Sequence, residues 1–220
     1  MISLTERLDA LFLKLYEYHG PQHWWPADTP VEVMLGAVLT QNTAWTNVEK
    51  AIHNLKQLTE LDCESILSLP PEMLAEAIRP SGYFNLKAKR LRNLCRFLQS
   101  NPDLEQLDDQ ALRSGLLSVH GIGPETADDI LLYAFQRPVF VIDAYTRRLL
   151  GRLGLIDART PYEPLRKTIE QALEPDTQRF NEYHALIVIH AKSICQTRPL
   201  CGKCPLEKQC DFATSGIEAF

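Results

Sequence analysis

The sequence predicts an all-α protein of about ten helices. Three observations predict it. Apolar residues recur at helical spacing along nearly the whole chain, Pro and Gly punctuate that pattern, and the only β-like run, residues 138–142, is too isolated to form a sheet.

The elements follow in order. Leu4, Leu8, Leu11, Leu15 and Tyr18 form one stripe over residues 2–18. Thr29-Pro30-Val31-Glu32 has the form of a helix start: a hydroxyl cap, proline at the first helical position and glutamate three residues after the cap. Val33 to Leu39 is apolar on every side, so this helix should be central and buried. After the polar Thr40-Gln41-Asn42-Thr43 a second helix fits 44–58. Further helices fit 64–69, 71–79, 84–99, 108–118, 124–136, 143–153, 161–173 and 178–194, with breaks at Pro70, Pro80 and Gly82. No repeat and no low-complexity tract interrupts them.

The 220 residues are 45% hydrophobic and 23% charged, a composition that excludes disordered and fibrous classes. No apolar run approaches the ~20 residues that span a bilayer, and Glu6 and Asp9 sit where a secretory signal needs a basic start. A cytoplasmic protein is expected. The net charge of −5 argues at first against nucleic acid. The charge is uneven, however: residues 1–80 hold 5 basic and 11 acidic side chains, while 81–120 hold 6 and 4. Lys87, Lys89, Arg90, Arg92 and Arg96 share one helix, and Arg147, Arg148 and Arg152 follow Asp143. They can be a solvated face or contacts to a phosphate backbone. Lys192, three residues before Cys195, is a further candidate for a backbone or pocket contact.

Cys195, Cys201, Cys204 and Cys210 have the spacing C-x5-C-x2-C-x5-C. Disulfides do not suit a cytoplasmic chain. Structural zinc usually shows two separated pairs or histidine partners. One tight pair flanked by longer spacers in a compact loop suits a [4Fe–4S] cubane, whose four irons each take one thiolate. Zinc and an unmetallated loop remain the alternatives. Cys63 and Cys95, on apolar helix faces, read as core residues.

In Val119-His120-Gly121-Ile122-Gly123-Pro124-Glu125 a helix ends, two glycines turn and proline starts the next helix. Gly121 and Gly123 permit positive φ and close backbone approach, and with the free N–H groups of the new helix they offer a place for a phosphate oxygen. Ile122 would plug the two helices together. Asp143 follows an apolar run and opens a helical pattern, the position of an N-cap.

Hairpin, aspartate and four-cysteine loop, in this order and spacing, resemble the helix-hairpin-helix DNA glycosylase superfamily in its endonuclease III branch, from about Trp24 to Cys210. The resemblance implies a six-helix barrel domain over 22–136, with the hairpin at about 112–130. It implies a second helical domain from 1–21 and 137–220 carrying a [4Fe–4S] loop at 195–210, with the active site in the cleft between the two. It makes Asp143 the catalytic carboxylate and double-stranded DNA with a damaged base the partner of a monomeric enzyme. A helix start favours the ionised carboxylate, which can stabilise positive charge developing on the sugar and orient the attacking water.

Two departures refine this. Endonuclease III has a Schiff-base lysine where this chain has Glu125, so lyase activity is in doubt and a monofunctional glycosylase is expected. The first cysteine spacer has five residues where endonuclease III has six. Trp24, Trp25 and Trp45 resemble the base pocket of the endonuclease-III-like 3-methyladenine DNA glycosylases, and indole rings would hold a cationic alkylated purine by stacking and cation–π attraction worth about 0.5–2 kcal/mol. Gln41 matches the family glutamine that fills the gap left by a flipped base. The alternatives are a pyrimidine-lesion glycosylase with lyase activity and a relative of the mismatch-adenine glycosylases. A non-catalytic DNA-binding module is the reading from another class.

Overall fold

The computed structural model describes residues 2–215, and among them it is helical with no strand. The chain divides into two compact units: Met1–Trp24 with Pro138–Phe220, and Trp25–Arg137.

The first unit begins with α1 (Leu4–His19), opened by a capping box in which Ser3 and Glu6 satisfy each other's backbone N–H. Leu8, Leu11 and Leu15 are its buried face. After an extended stretch at 138–142 come α9 (Ala144–Arg152), α10 (Tyr162–Ala172) and α11 (Thr177–Ser193). α11 packs on both α1 and α9. Tyr183 on α11 donates its hydroxyl to Leu8 O at 2.9 Å, so even the buried phenol has a partner. The cysteine loop follows, with short 3-10 turns at Cys201–Lys203 and Glu207–Gln209 and a last turn of helix, α12 (Asp211–Thr214), that the apolar pattern did not announce. Gly154 has φ +65°, and a Cβ there would lie 1.7 Å from Asp211 Oδ2, so the chain needs glycine where α12 meets the end of α9.

The second unit holds α2 (Pro30–Leu39), α3 (Trp45–Leu58), α4 (Cys63–Ser68), α5 (Pro71–Ala77), α6 (Phe84–Ser100), α7 (Asp109–Ser118) and α8 (Pro124–Asp129). Thr29 caps α2 by accepting from Glu32 N at 3.1 Å, and Glu32 through Leu39 are all buried, as the all-round apolar pattern requires. α2 packs on α3, α6 and α8. Asp62 and Asp108 cap α4 and α7 through their carboxylates.

The single helix expected over 124–136 breaks at Asp129 into a buried π-helical turn, Ile130–Ala134. The apolar run Ile130-Leu131-Leu132-Tyr133 is enclosed on all sides, so helical periodicity carried no signal of the change in winding. Among the described residues no helix is long and apolar enough to cross a membrane.

Candidate active site

Asp143 is the N-cap of α9. Its Oδ1 accepts from Thr146 N at 2.6 Å, and its Oδ2 lies 3.5 Å from His184 Nε2. Only 13% of its side chain is exposed. Burial alone would raise the carboxyl, but the neighbouring imidazole and the donors of Thr146 outweigh it and hold Asp143 below the ordinary carboxylate value. The result is a sheltered carboxylate kept ionised. His184 stands on α11, 41 positions from Asp143 along the chain and buried. No local spacing links the two, so the sequence did not single it out.

The hairpin lies in the second unit. Gly121 has φ +102°, and a Cβ there would come within 2.4 Å of Arg90 Cγ. The expectation of left-handed backbone holds at this glycine and not at Gly123, which has φ −94° as the N-cap of α8, with nothing within 4 Å of a built Cβ. What Gly123 provides is open space at the start of a helix. Ile122 is buried. Gln41 donates Nε2 to Gly121 O at 3.1 Å and to Thr126 Oγ1 at 2.9 Å, and its Oε1 accepts from Arg90 Nη1. Asn93 adds a bond to His120 O at 3.1 Å. The glutamine read as a gap-filler is thus tied through its Nε2 to the hairpin and through its Oε1 to Arg90 of α6. Glu125 is exposed in the first turn of α8, where a carboxylate suits the helix N-terminus.

The basic runs divide: Lys89 and Arg96 are exposed, as a solvated face requires, while other members turn inward. Lys87 is 1% exposed and donates to Leu39 O at 2.8 Å and Ser81 O at 2.7 Å; burial pushes it down to about 8. Arg92 donates to Leu69 O at 3.0 Å. In the first unit Arg147 donates to Ala158 O and Thr160 O, Arg148 to Cys195 O and Ala191 O, and Arg152 to Gln196 O and Thr197 O. These cations hold backbone carbonyls inside the protein, because a long stem with several donors can reach carbonyls that loops leave unpaired. Lys192 is exposed in the last turn of α11.

Trp24 closes the first unit; Trp25 and Trp45 lie in the second, 5.0 Å apart and edge to face at 90°. Trp25 also meets Tyr133 at 5.0 Å, and its indole lies against Gly36. Trp25 and Trp45 line a pocket with Pro26, Glu32, Glu49 and Lys56. Trp45 Nε1 donates to Glu49 Oε1 at 3.0 Å, while Glu32 is buried and paired with Lys56 at 2.8 Å. Two indoles at a right angle make two walls of a pocket rather than a parallel sandwich.

Cys195, Cys201, Cys204 and Cys210 line one pocket with Leu149, Leu206 and other apolar side chains. All four are free thiols. Burial and the neighbouring thiols raise Cys201 and Cys204. Arg152 Nη1 lies 3.3 Å from Cys195 Sγ, His190 Nε2 lies 3.5 Å from Cys204 Sγ, and His19 Nε2 lies 3.0 Å from the other ring nitrogen of His190, Nδ1. Among the described residues no three His, Cys, Asp or Glu side chains converge where a single metal ion could sit. Cys95 is buried as expected, whereas Cys63 is half-buried beside it.

A glycine hairpin on one helical unit and a sheltered aspartate on another are the parts of a helix-hairpin-helix DNA repair protein. Residues 35–175 match the model of the HhH-GPD superfamily of base excision DNA repair proteins, and the chain belongs to that superfamily, in its endonuclease III-like branch. A provisionally named DNA repair glycosylase of Methanocaldococcus jannaschii is 46% identical over 211 residues, 93% of this chain and 96% of its own. A crystal structure of the H. pylori 3-methyladenine DNA glycosylase bound to 1,N6-ethenoadenine superposes with a TM-score of 0.74 at 33% identity, covering 86% of this chain and 97% of that one. An endonuclease III–DNA complex superposes with a TM-score of 0.83 over 98% of both chains at 20% identity, a likeness of fold. These likenesses place the chain among base excision DNA glycosylases.

Proposed function

We propose that the chain is a monofunctional glycosylase that hydrolyses the N-glycosidic bond of alkylated purines such as 3-methyladenine and 7-methylguanine in double-stranded DNA. The observation that carries this reading is Asp143, a sheltered carboxylate held ionised at the start of α9. Such a group stabilises the cationic sugar of the transition state and aligns water against it. A cationic base is already a good leaving group, so the reaction needs no general acid. Glu125, where endonuclease III has its amine nucleophile, supports water as the attacking group.

For the base, the indole walls of Trp25 and Trp45 support a cationic ligand by stacking and cation–π attraction, Glu32 in the same pocket being already paired with Lys56. The 33% identity to a 3-methyladenine glycosylase supports the same class. Gly121, Ile122 and Gly123 present the start of α8 to a phosphate, Lys192 adds a backbone contact, and Gln41 enters the duplex once it exchanges its hairpin bonds for base contacts.

For a cofactor, the four free thiols line one pocket, a donor set that suits a [4Fe–4S] cluster, whose four irons each take one thiolate. A [4Fe–4S] group there would be held by the four thiolates and would brace the loop. The arginine donors around Cys195 serve that bracing in the chain itself.

A base-release assay over duplexes bearing methylated, oxidised, deaminated and mismatched bases tests the reading. Release of methylated purines, abolished in Asp143→Asn and leaving no borohydride-trapped adduct, supports it. Release of oxidised pyrimidines with a trapped adduct, or of adenine from mismatches, overturns it.

A further inference from the structure

We infer that His184 is a positioning residue that fixes the rotation of the Asp143 carboxylate. The inference rests on the reading of Asp143 above and adds a partner to it. The cap bond from Thr146 N engages Oδ1, and Oδ2 is the oxygen that lies toward His184. A carboxylate held by one oxygen still swings about its terminal torsion, whose profile is broad. Oδ2 has His184 Nε2 at 3.5 Å, and that imidazole is itself immobilised, 7% exposed on its side chain. The two residues stand on helices that pack directly, α9 and α11, with Leu149 and Leu150 on one and Ile187 and Val188 on the other buried. Their spacing is therefore set by core packing within one unit. A 3.5 Å contact is long for a hydrogen bond, but in DNA-free enzymes such contacts shorten when the substrate arrives.

The imidazole acts from behind the carboxylate: an Nε2–H aimed at Oδ2 selects the rotamer in which that oxygen meets the sugar or the water. Misplacing a catalytic group by about 1 Å costs on the order of 100-fold. Removing the donor should thus lower the rate of bond cleavage without weakening DNA binding.

The test compares His184→Phe, which keeps bulk and loses the donor, with His184→Gln, whose amide N–H reaches a similar place. Single-turnover release from a 7-methylguanine duplex, DNA affinity by anisotropy and melting temperature are measured for each. His184→Phe is expected to lose about 10- to 100-fold in rate with affinity within twofold of the parent, and His184→Gln to recover most of that loss. A His184→Phe protein at parental rate overturns the inference. So does a parallel loss of rate and melting temperature in both variants, which would make the histidine a packing residue. If Asp143→Asn itself releases base at the parental rate, the reading of Asp143 fails instead, whatever the His184 variants do.

Discussion

The hairpin and the Asp143 site are each built at a helix start, yet they are held by different chemistry. Around the hairpin, a neutral amide, backbone carbonyls and an always-charged guanidinium do the holding: Gln41 to Gly121 O, Asn93 to His120 O, Arg90 to Gln41. Around Asp143 the partners are an imidazole and a helix terminus, and the group itself titrates. One site keeps a shape across pH; the other keeps a charge state. The difference suits the work proposed for each, since a phosphate contact needs fixed N–H groups and a sugar cation needs a fixed negative charge.

The sharpest way to break that comparison is Asp143→Asn. Asparagine caps a helix about as well as aspartate, so melting should change little, while single-turnover base release should fall by roughly 10³-fold. A large drop in melting temperature would show that the carboxylate is there for structure. The linkage sign also follows. The folded-state value of Asp143 is depressed, so the stability it contributes is present above the ordinary carboxylate value and is lost as pH falls through the lower folded value. Base release should therefore persist below pH ~4, the ordinary range for aspartate, and an acid limb well above it would count against an ionised, buried carboxylate.

Next in size is loss of a cysteine. If the loop holds the proposed [4Fe–4S] cluster, the parent protein should contain iron and absorb in the visible, and Cys204→Ala should remove both and lower the melting temperature by several degrees, because one of the four thiolate ligands is lost. Metal analysis alongside visible absorbance decides it: zinc in the parent protein would remove the cluster from the proposal.

A smaller effect separates the two hairpin glycines. Gly121→Ala forces a Cβ onto Arg90 at φ +102° and should cost about 1–3 kcal/mol of stability. Gly123→Ala meets open space at an ordinary φ, so it should leave stability within about 0.5 kcal/mol while weakening DNA binding by crowding the start of α8. Equal stabilities for the two variants, measured by denaturant unfolding, would erase the distinction.

What was legible follows from the range of each signal. Thr29-Pro30, the Gly-Ile-Gly turn, Asp143 as a cap and the apolar α2 are written in adjacent residues, because caps and turns are local. The π turn at Ile130–Ala134 was not, since an element buried all round has no face to betray its period. His184 and the carbonyl partners of Arg92, Arg148 and Arg152 were not, because each pairing spans 23 to 47 positions and is made only by packing. Within the basic runs, sequence shows where a cation is and not which carbonyl it reaches: Lys89 and Arg96 stay exposed while Arg92 reaches Leu69 O.

Lys87 sharpens the comparison from the hairpin side, where it is a titrating group among fixed ones. It bonds Leu39 O, at the end of α2 and two residues before Gln41. Burial lowers it to about 8 from an ordinary 10.5. Between those values the unfolded chain binds more protons than the folded one, so stability rises with pH through that window, and the cost of the buried charge is present in full below about 8. Lys87→Met lacks this dependence. It should be less stable by about 1–3 kcal/mol at neutral pH, with two carbonyls left unpaired. The gap to the parent should then widen from pH 8 to pH 10 in paired melting curves. A gap that stays constant would mean the ammonium keeps its charge throughout and the anchor beneath Gln41 is as insensitive to pH as the rest of the hairpin.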